Sequence, residues 1–176
     1  MNFLLVRVDN RLIHGQILEA WVPYVQASCL VVADDGVAGD FFRESVIRMA
    51  VPRDIDVYVH SVDEIPRIYS YQENTGRKTI LLFSRIRDAR KAFEGGFHFE
   101  RLNIGNVYND AGGVQCARSI NLNDQDIQNL LELTQQGVQV DLRCVPKDKP
   151  VDLFGILKKT KHGVPVTVQK GRSVVS

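Results

Sequence analysis

Residues 79–83 read TILLF, an apolar run in which only Thr79 carries a polar group. Two similar runs lie earlier in the chain, FLLVRV at residues 3–8 and CLVVA at residues 29–33. Runs that are apolar at successive positions are typical of strands buried on both faces, as in a parallel sheet covered by helices on each side. They alternate with helical patterns, which is typical of βαβ units. The sequence therefore predicts an α/β fold, doubly wound, with a mainly parallel open sheet of about six to seven strands and helices on both faces.

The clearest helix is predicted after residue 122, because apolar residues recur there at helical spacing and Gly137 follows the last of them. In doubly wound sheets, ligands bind beyond the carboxyl ends of the strands, at the switch point of strand order. A site is therefore expected in the loop after the first strand and in the loops of its neighbours. The predicted strands are residues 3–8, 29–33, 57–60, 79–83, 102–107, 119–122 and 138–145, and the predicted helices are residues 16–25, 40–49, 62–72, 87–93 and 123–136.

Length and composition indicate one globular domain over residues 1–157, followed by a basic C-terminal extension at residues 158–176. The chain has 176 residues, 44% of them hydrophobic, and a formal net charge of +1. A charge so close to neutral gives no global attraction to nucleic acid or anionic lipid. No apolar run approaches the ~20 residues of a membrane span, and the N-terminal run is too short for a signal peptide. We expect a cytoplasmic protein.

Three cysteines and four histidines offer few metal ligands. Cys29, Cys116 and Cys144 are widely spaced and form no CxxC pair, so neither a zinc site nor a disulfide framework is predicted. We interpret them as buried, reduced thiols. His60 and His98 are interpreted as hydrogen-bonded or exposed side chains, and His162 as a solvated residue of the extension.

His14 is the strongest candidate for chemistry, because it follows the first strand directly and precedes a predicted helix. The loop reads Asp-Asn-Arg-Leu-Ile-His-Gly-Gln at residues 9–16. Free amide groups at a helix start stabilise a bound phosphate, and Arg11 can add a charge-assisted contact. Gly15 allows close approach of the backbone, and a neutral imidazole is a competent nucleophile near pH 7. Spacing alone leaves a structural role for His14 equally open.

The stretch VRVDNRLIHGQI at residues 6–17 resembles the signature of the mannose/fructose/sorbose family of phosphotransferase system (PTS) IIB components, R-[IV]-D-D-R-L-I-H-G-Q-V. Further segments resemble family segments in the same order: VVADDGVA, RMAVP, LNIGN, SINLN and VPKDKPVDL. The resemblance covers about residues 1–154. It implies a IIB domain at residues 1–157.

The resemblance implies a phosphotransferase that carries a phosphoryl group on His14. The group would come from a histidine of a IIA protein or domain and pass to a sugar that enters through IIC and IID membrane subunits. Arg11 and the amides of Gly15 and Gln16 would bind the phosphate, with no metal and no cofactor. The protein would work in the cytoplasm, peripherally associated with the permease. The sequence leaves the sugar and the phosphorylated ring nitrogen open, along with the oligomeric state, a homo-oligomer included.

Further polar residues follow the predicted strands that neighbour the first one. Asp9 could orient the site, and Asp34 could orient Arg11 or His14, although a helix cap is an equal interpretation for Asp34 and Asp35. Ser84 ends the TILLF strand and would reach the phosphate if that strand neighbours the first. Arg85 and Arg87 could assist there or recognise an acidic partner surface, whereas Gly112 and Gly113 indicate a turn.

Two departures from the family pattern keep an alternative open. Asn10 replaces the second Asp of the signature, and Asn106, with Tyr108 and Asn109 nearby, departs from the family's LNVGG at the rim of the site. Asn10 and the basic C-terminal extension would also suit a regulatory, non-transport module that binds another protein on the same fold. A histidine-dependent phosphatase is the weaker third hypothesis, because such enzymes present Arg-His-Gly where this chain has Ile13-His14-Gly15.

Overall fold

The computed structural model describes residues 1–70, 76–108, 112–151 and 153–159. Six strands form one parallel sheet, and two short strands pair antiparallel beside it. The strands are β1 (Asn2–Val8), β2 (Cys29–Ala33), β3 (Asp56–His60), β4 (Lys78–Phe83), β5 (Arg101–Ile104), β6 (Val114–Ala117), β7 (Ile120–Leu122) and β8 (Gln139–Leu142).

The order of the parallel sheet is β3-β2-β4-β1-β5-β8, which places the first strand of the chain near the centre. β1 pairs with β4 on one side and with β5 on the other. The strand order therefore reverses around β1, and the loops after β1, β4 and β5 meet at one edge of the sheet. Ligands of open α/β sheets bind at such a switch point. The predicted fold class and strand number are confirmed.

Both faces of the sheet are buried, because alternate side chains of each central strand enter different cores. In β2, Val31 belongs to one core and Leu30 to the other, and in β4 Leu81 and Ile80 divide in the same way. Helices at residues 64–69, 86–94, 124–135 and 153–159 cover the first face, and helices at residues 16–21, 35–38 and 41–50 cover the second. The apolar runs of the sequence are explained by this double burial.

The helices are the π-helix Gln16–Trp21, which continues directly into α1 (Val22–Val25), and α2 (Asp35–Ala38), α3 (Phe41–Ala50), α4 (Glu64–Tyr69), α5 (Ile86–Glu94), α6 (Asp124–Gln135) and α7 (Leu153–Lys159).

Short polar residues fix where the helices begin. Asp40 accepts hydrogen bonds from the amides of Phe42 and Arg43 and so caps α3, as predicted. Asn123 and Asp126 form a reciprocal capping box at the start of α6. The predicted helix at residues 16–25 is present, but its first six residues are π-helical.

Several elements differ from the sequence prediction. The strand β6 and the helices α2 and α7 add to the predicted elements, whereas β7 corresponds to the strand predicted at residues 119–122. β5 ends at Ile104, before the residue-107 boundary expected. α7 extends across the predicted domain boundary at residue 157. The extension beyond Lys159, including His162, lies outside the described residues, as do residues 71 and 72 of the predicted third helix and Asn109.

No helix among the described residues combines the length and the apolar character that crossing a bilayer requires. Four large apolar side chains of α3 are nevertheless more than half exposed: Phe41, Phe42, Val46 and Met49.

Candidate functional site

His14 lies in the loop that joins β1 to the π-helix, at the edge of the sheet where the strand order reverses. Its carbonyl oxygen accepts hydrogen bonds from the amides of Ile17 and Leu18, which starts the helical segment. Leu12 turns the loop with φ of 54°, a left-handed conformation that is rare for a residue with a branched side chain. The loop thereby returns the His14 ring towards Asp9 at the end of β1.

Asp9 is the centre of the site, because its fully buried carboxylate binds several donors. Its Oδ2 lies 3.0 Å from His14 Nε2 and 2.8 Å from both Arg7 Nη2 and Asn106 Nδ2. Its Oδ1 accepts a 3.0 Å hydrogen bond from the amide of Arg11. Burial alone would raise the pKa of Asp9, but the His14 hydrogen bond and the Arg7 charge outweigh it, so the pKa lies below its ordinary value. Asp9 is therefore ionised at neutral pH.

Arg7 is a fully buried cation beneath this carboxylate. It also donates to the side chain of Asn103 and to the carbonyl oxygens of Arg143 (3.0 Å) and Cys144 (3.1 Å), and it lies over the Trp21 ring at 5.4 Å. Burial lowers the pKa of its guanidinium while Asp9 opposes that shift, and an arginine retains its charge in proteins. The buried ion pair is thus surrounded by acceptors that satisfy the remaining donors.

Gly105 leaves the space that the Arg7 guanidinium occupies. A Cβ atom at position 105 would lie 1.8 Å from Arg7 Nη2 and 2.1 Å from Cζ. No side chain fits there while Arg7 keeps its position, so glycine is required by close packing and not by backbone conformation.

The hydrogen bonds of His14 define its tautomer. An ionised carboxylate only accepts, so His14 Nε2 carries the proton that it donates to Asp9. Nδ1 then holds the free electron pair, and this buried atom has no hydrogen-bond partner in the part of the chain that the structure describes. The His14 side chain is 8% exposed. The arrangement presents one unprotonated, unengaged ring nitrogen next to the solvent-facing loop.

The other predicted loop residues surround this ring at different depths. The Gln16 side chain accepts a 2.9 Å hydrogen bond from Asn106 Nδ2, which links it to Asp9. Gly15 is exposed and adopts an ordinary helical conformation, with space for a Cβ atom. The Arg11 side chain is exposed and forms no hydrogen bond or ion pair with another described residue. Arg11 is consequently available to a ligand on the surface of the loop.

Ser84 and Asp34 lie in a neighbouring cavity and not against His14. The Ser84 hydroxyl donates to Asp34 Oδ2, and Asp34 Oδ1 accepts from the amide of Val37, so Asp34 caps α2. Neither residue contacts Arg11 or His14 among the described residues, and the cap interpretation of Asp34 holds. The two residues line a cavity of about 280 Å³ together with Asn10, Asp35, Gly36, Arg43, Arg85, Arg87 and Asp88.

The remaining histidines and cysteines take structural positions. His60 Nε2 lies 3.0 Å from the Tyr69 hydroxyl, and the exposed His98 packs edge-on against Phe93. Cys29 and Cys116 are buried and Cys144 is partly buried, and all three are free thiols.

The sequence model of the PTS system sorbose subfamily IIB component family matches residues 3–167. The chain belongs to this family. It is 31% identical to the sorbose-specific EIIB component of Klebsiella pneumoniae over 160 residues, 91% of this chain and 98% of that protein. It is 30% identical to the fructose-specific EIIB component of Bacillus subtilis, over 90% of this chain and 97% of that protein. The chain spans about half the length, 48%, of the mannose-specific EIIAB component of Escherichia coli, to which it is 27% identical.

The fold is shared with solved IIB structures. The crystal structure of the IIBSor domain of the sorbose permease from Klebsiella pneumoniae matches with a TM-score of 0.83, covering 91% of this chain and 98% of that one. The crystal structure of an N-acetylgalactosamine-specific IIB component from Escherichia coli matches with a TM-score of 0.81 at 29% identity. PTS IIB components are phosphoryl-transfer subunits of sugar transport systems.

Two polar residues of this IIB component were not predicted as site residues. Arg7 is the first residue of the family signature, and a charged residue inside an otherwise buried strand was the signal that could have found it. Asn106 was noted only as a departure at the rim, yet its amide binds Asp9 and Gln16 and lies 3.4 Å from His14 Nε2. No sequence spacing connects residue 106 with residue 9, because only the sheet brings them together.

Asn10 has a structural explanation in this IIB component. Its Nδ2 donates to the Ser84 carbonyl oxygen at 2.8 Å, and its Oδ1 accepts from the Tyr108 amide at 2.7 Å. The side chain thus ties the loop after β4 to the loop after β5. An aspartate could make only the second of these bonds.

Proposed function

We propose that this IIB component accepts a phosphoryl group on Nδ1 of His14 from a IIA phosphohistidine and passes it to an incoming sugar. The observation that carries the proposal is the Asp9–His14 pair, in which Nε2–H donates to the carboxylate and Nδ1 is left as the free nucleophile. The P–N bond to the donor histidine would break as the P–Nδ1 bond forms. Because Nδ1 is buried, it must become accessible to the donor phosphohistidine when the IIA protein docks.

Asp9 supports both the acceptance and the release of the phosphoryl group. A phosphorylated imidazole gains positive character, which the buried carboxylate 3.0 Å from Nε2 stabilises without solvent reorganisation. Arg7 and Asn106 keep the carboxylate ionised and fixed, so the ring stays oriented through the transfer. The same hydrogen bond keeps the ring in place once the phosphoryl group has departed.

The exposed loop would bind the phosphate itself. Arg11 has no competing partner among the described residues and can turn its guanidinium towards a phosphate on His14. We assign the backbone amides of Gly15 and Gln16 to the same oxygens. Ser84 and Asp34 line the neighbouring cavity with Arg43 and Arg85. They would contact the sugar that accepts the phosphoryl group, and not the His14 ring.

The partners follow from the family and not from this chain alone. The mannose-specific relative is named an EIIAB component, which supports a IIA protein or domain as the phosphoryl donor. IIC and IID membrane subunits would deliver the sugar, with this subunit on the cytoplasmic side of the permease. The relatives are named for different sugars, so the transported sugar is left unassigned. Asn10 has a structural role, which removes one motive for the regulatory alternative.

Labelling tests the assignment directly. Incubation with phosphoenolpyruvate, the general phosphotransferase proteins and the cognate IIA should give an acid-labile phosphate on the wild type, and NMR of 15N-histidine-labelled protein should identify Nδ1. His14→Ala should carry no label, whereas His98→Gln, at an exposed histidine outside the site, should label normally. Arg11→Ala should fold normally and label at least tenfold more slowly. Acid-labile label on His14→Ala at the wild-type level contradicts the proposal.

A further inference from the structure

A second cavity, of about 290 Å³, opens between the N-terminal ends of α5 and α6. It shares Asn10, Arg85 and Arg87 with the cavity that contains Ser84. The two cavities therefore lie on either side of Asn10, the residue that precedes Arg11. The proposed phosphoryl transfer leaves this cavity without a role. We name it the α5–α6 cleft, lined by Asn10, Arg85, Arg87, Val107, Tyr108, Asn123, Gln125, Asp126 and Asn129.

Asn129 provides an unused donor in the wall of the cleft. The residue is 3% exposed, and its Oδ1 accepts hydrogen bonds from Arg90 Nη1 at 2.9 Å and from Gln125 Nε2 at 3.4 Å. These two donors fix the orientation of the amide, so the nitrogen cannot exchange places with the oxygen. The buried Nδ2 has no hydrogen-bond partner among residues 1–70, 76–108, 112–151 and 153–159. Buried donors are almost always paired, so an unpaired one indicates a missing partner.

The charges of the cleft favour an anion. Arg85 and Arg87 are exposed cations on its rim, and the one acid among its described lining residues, Asp126, is engaged in the capping box of α6. The cavity on the other side of Asn10 contains three carboxylates, those of Asp34, Asp35 and Asp88. An anionic ligand would consequently prefer the α5–α6 cleft.

The other lining residues suit a sugar. Tyr108 is 57% exposed at the mouth of the cleft and offers an aromatic surface with a polar tip. Gln125 and Asn129 add amide groups of the kind that bind hydroxyls. A volume of about 290 Å³ lies at the lower end of small-molecule sites, which are about 300–1,000 Å³, so the ligand has the size of a monosaccharide and not of a nucleotide cofactor.

We propose that the α5–α6 cleft binds a monosaccharide phosphate, with its phosphate between Arg85 and Arg87 and its hydroxyls on Asn129 Nδ2 and Gln125, against the Tyr108 ring. The choice of ligand rests on the proposed function, because a sugar phosphate is the product of that reaction. Binding of the product in the cleft would change the rate of phosphoryl transfer through Asn10, which joins the cleft to the loop at residues 9–16.

Isothermal titration of the unphosphorylated full chain tests the site without any phosphoryl donor. The probes are mannose 6-phosphate, fructose 1-phosphate and sorbose 1-phosphate, each compared with its free sugar and with inorganic phosphate. At least one sugar phosphate should bind at least tenfold more tightly than both its free sugar and inorganic phosphate. Asn129→Asp keeps the acceptor for Arg90 but removes the donor, and it should raise Kd at least tenfold, as should Arg87→Gln on the surface.

Two controls locate the binding. Tyr24→Ala removes a tyrosine of similar exposure, 63%, on the opposite face of the sheet, and should leave Kd unchanged, whereas Tyr108→Ala should raise it severalfold. His14→Ala should also bind as the wild type does. The proposal is wrong if no sugar phosphate binds, if inorganic phosphate binds equally well, if both cleft variants retain the wild-type Kd, or if His14→Ala abolishes binding. Failure of the titration with normal labelling of His14 would remove the cleft site alone.

Discussion

Replacing Gly105 by alanine tests how the buried ion pair supports the site. The new Cβ atom would lie 1.8 Å from Arg7 Nη2 and 2.6 Å from Nη1, far inside any contact distance. Arg7 cannot move aside, because Asp9, Asn103 and two carbonyl oxygens hold its guanidinium within a fully buried site. The substitution therefore displaces the cation and leaves Asp9 buried without it. Breaking a buried pair in this way costs about 3–5 kcal/mol.

Urea unfolding followed by circular dichroism measures this loss at pH 7. A domain stability of about 5–15 kcal/mol means that Gly105→Ala should consume a large fraction of the total. The rate of His14 phosphorylation should fall as well, because Asp9 without Arg7 no longer holds the His14 ring in place. Gly39→Ala is the matched control: its φ is −89° and its new Cβ atom would lie 3.3 Å from the Asp35 carbonyl oxygen, so we expect a cost below about 1 kcal/mol.

A double-mutant cycle identifies the cause of the loss. In an Arg7→Met background the guanidinium is absent, so adding Gly105→Ala should cost at least about 2 kcal/mol less than it does in the wild type. A cost of less than about 1 kcal/mol for Gly105→Ala alone, or the same cost in both backgrounds, would refute the account of position 105.

Three further predictions concern single residues. Asn10→Asp loses the bond to the Ser84 carbonyl and should lower the free energy of unfolding by about 1 kcal/mol in urea while phosphoryl transfer continues; loss of transfer would contradict this. The pKa of Asp9 is lowered by folding, so its stabilising contribution is present above the unfolded value of about 3.9 and is lost as pH falls through the folded value. The difference in unfolding free energy between wild type and Asp9→Asn should accordingly narrow between pH 5 and pH 3; a constant difference would refute it. Burial raises the pKa of Cys116 to about 11, so this thiol should resist alkylation at pH 8 until the chain is unfolded, as mass spectrometry of the labelled peptides would show.

The sheet could be predicted from the sequence because burial on both faces leaves a strong pattern. In CLVVA at β2 every side chain is buried and apolar in character, and in TILLF at β4 only Thr79 is polar. β6 lacks that pattern because it is four residues long and only partly buried, whereas the short strand predicted at residues 119–122 is present as β7. The π-helical geometry of Gln16–Trp21 also has no distinct composition, and it depends on how the loop positions its first turn.

The site could be predicted only where its residues are close in sequence. Asp9, Arg11 and His14 belong to one loop and one recognisable signature, whereas Asn106 joins them through pairing of β1 with β5. Ser84 was correctly placed next to the first strand, but the side-chain direction that turns it to Asp34 was not visible in the sequence. Arg7 was not predicted as a site residue because its position in a strand indicates which face of the sheet it occupies, but not which side chains it contacts there.

The strand order also constrains how the chain folds during synthesis. β1 leaves the ribosome before the other strands of the sheet, but its partners are residues 78–83 and 103–104, so it stays unpaired until synthesis has passed residue 83. β2 and β3 are closer in sequence and can pair earlier, although they end up at one edge of the finished sheet. Such a high contact order slows folding and lengthens the time for which an apolar strand is exposed to other chains. In the nascent IIB component, the apolar β1 therefore waits for β4 and β5 before the centre of the sheet can close.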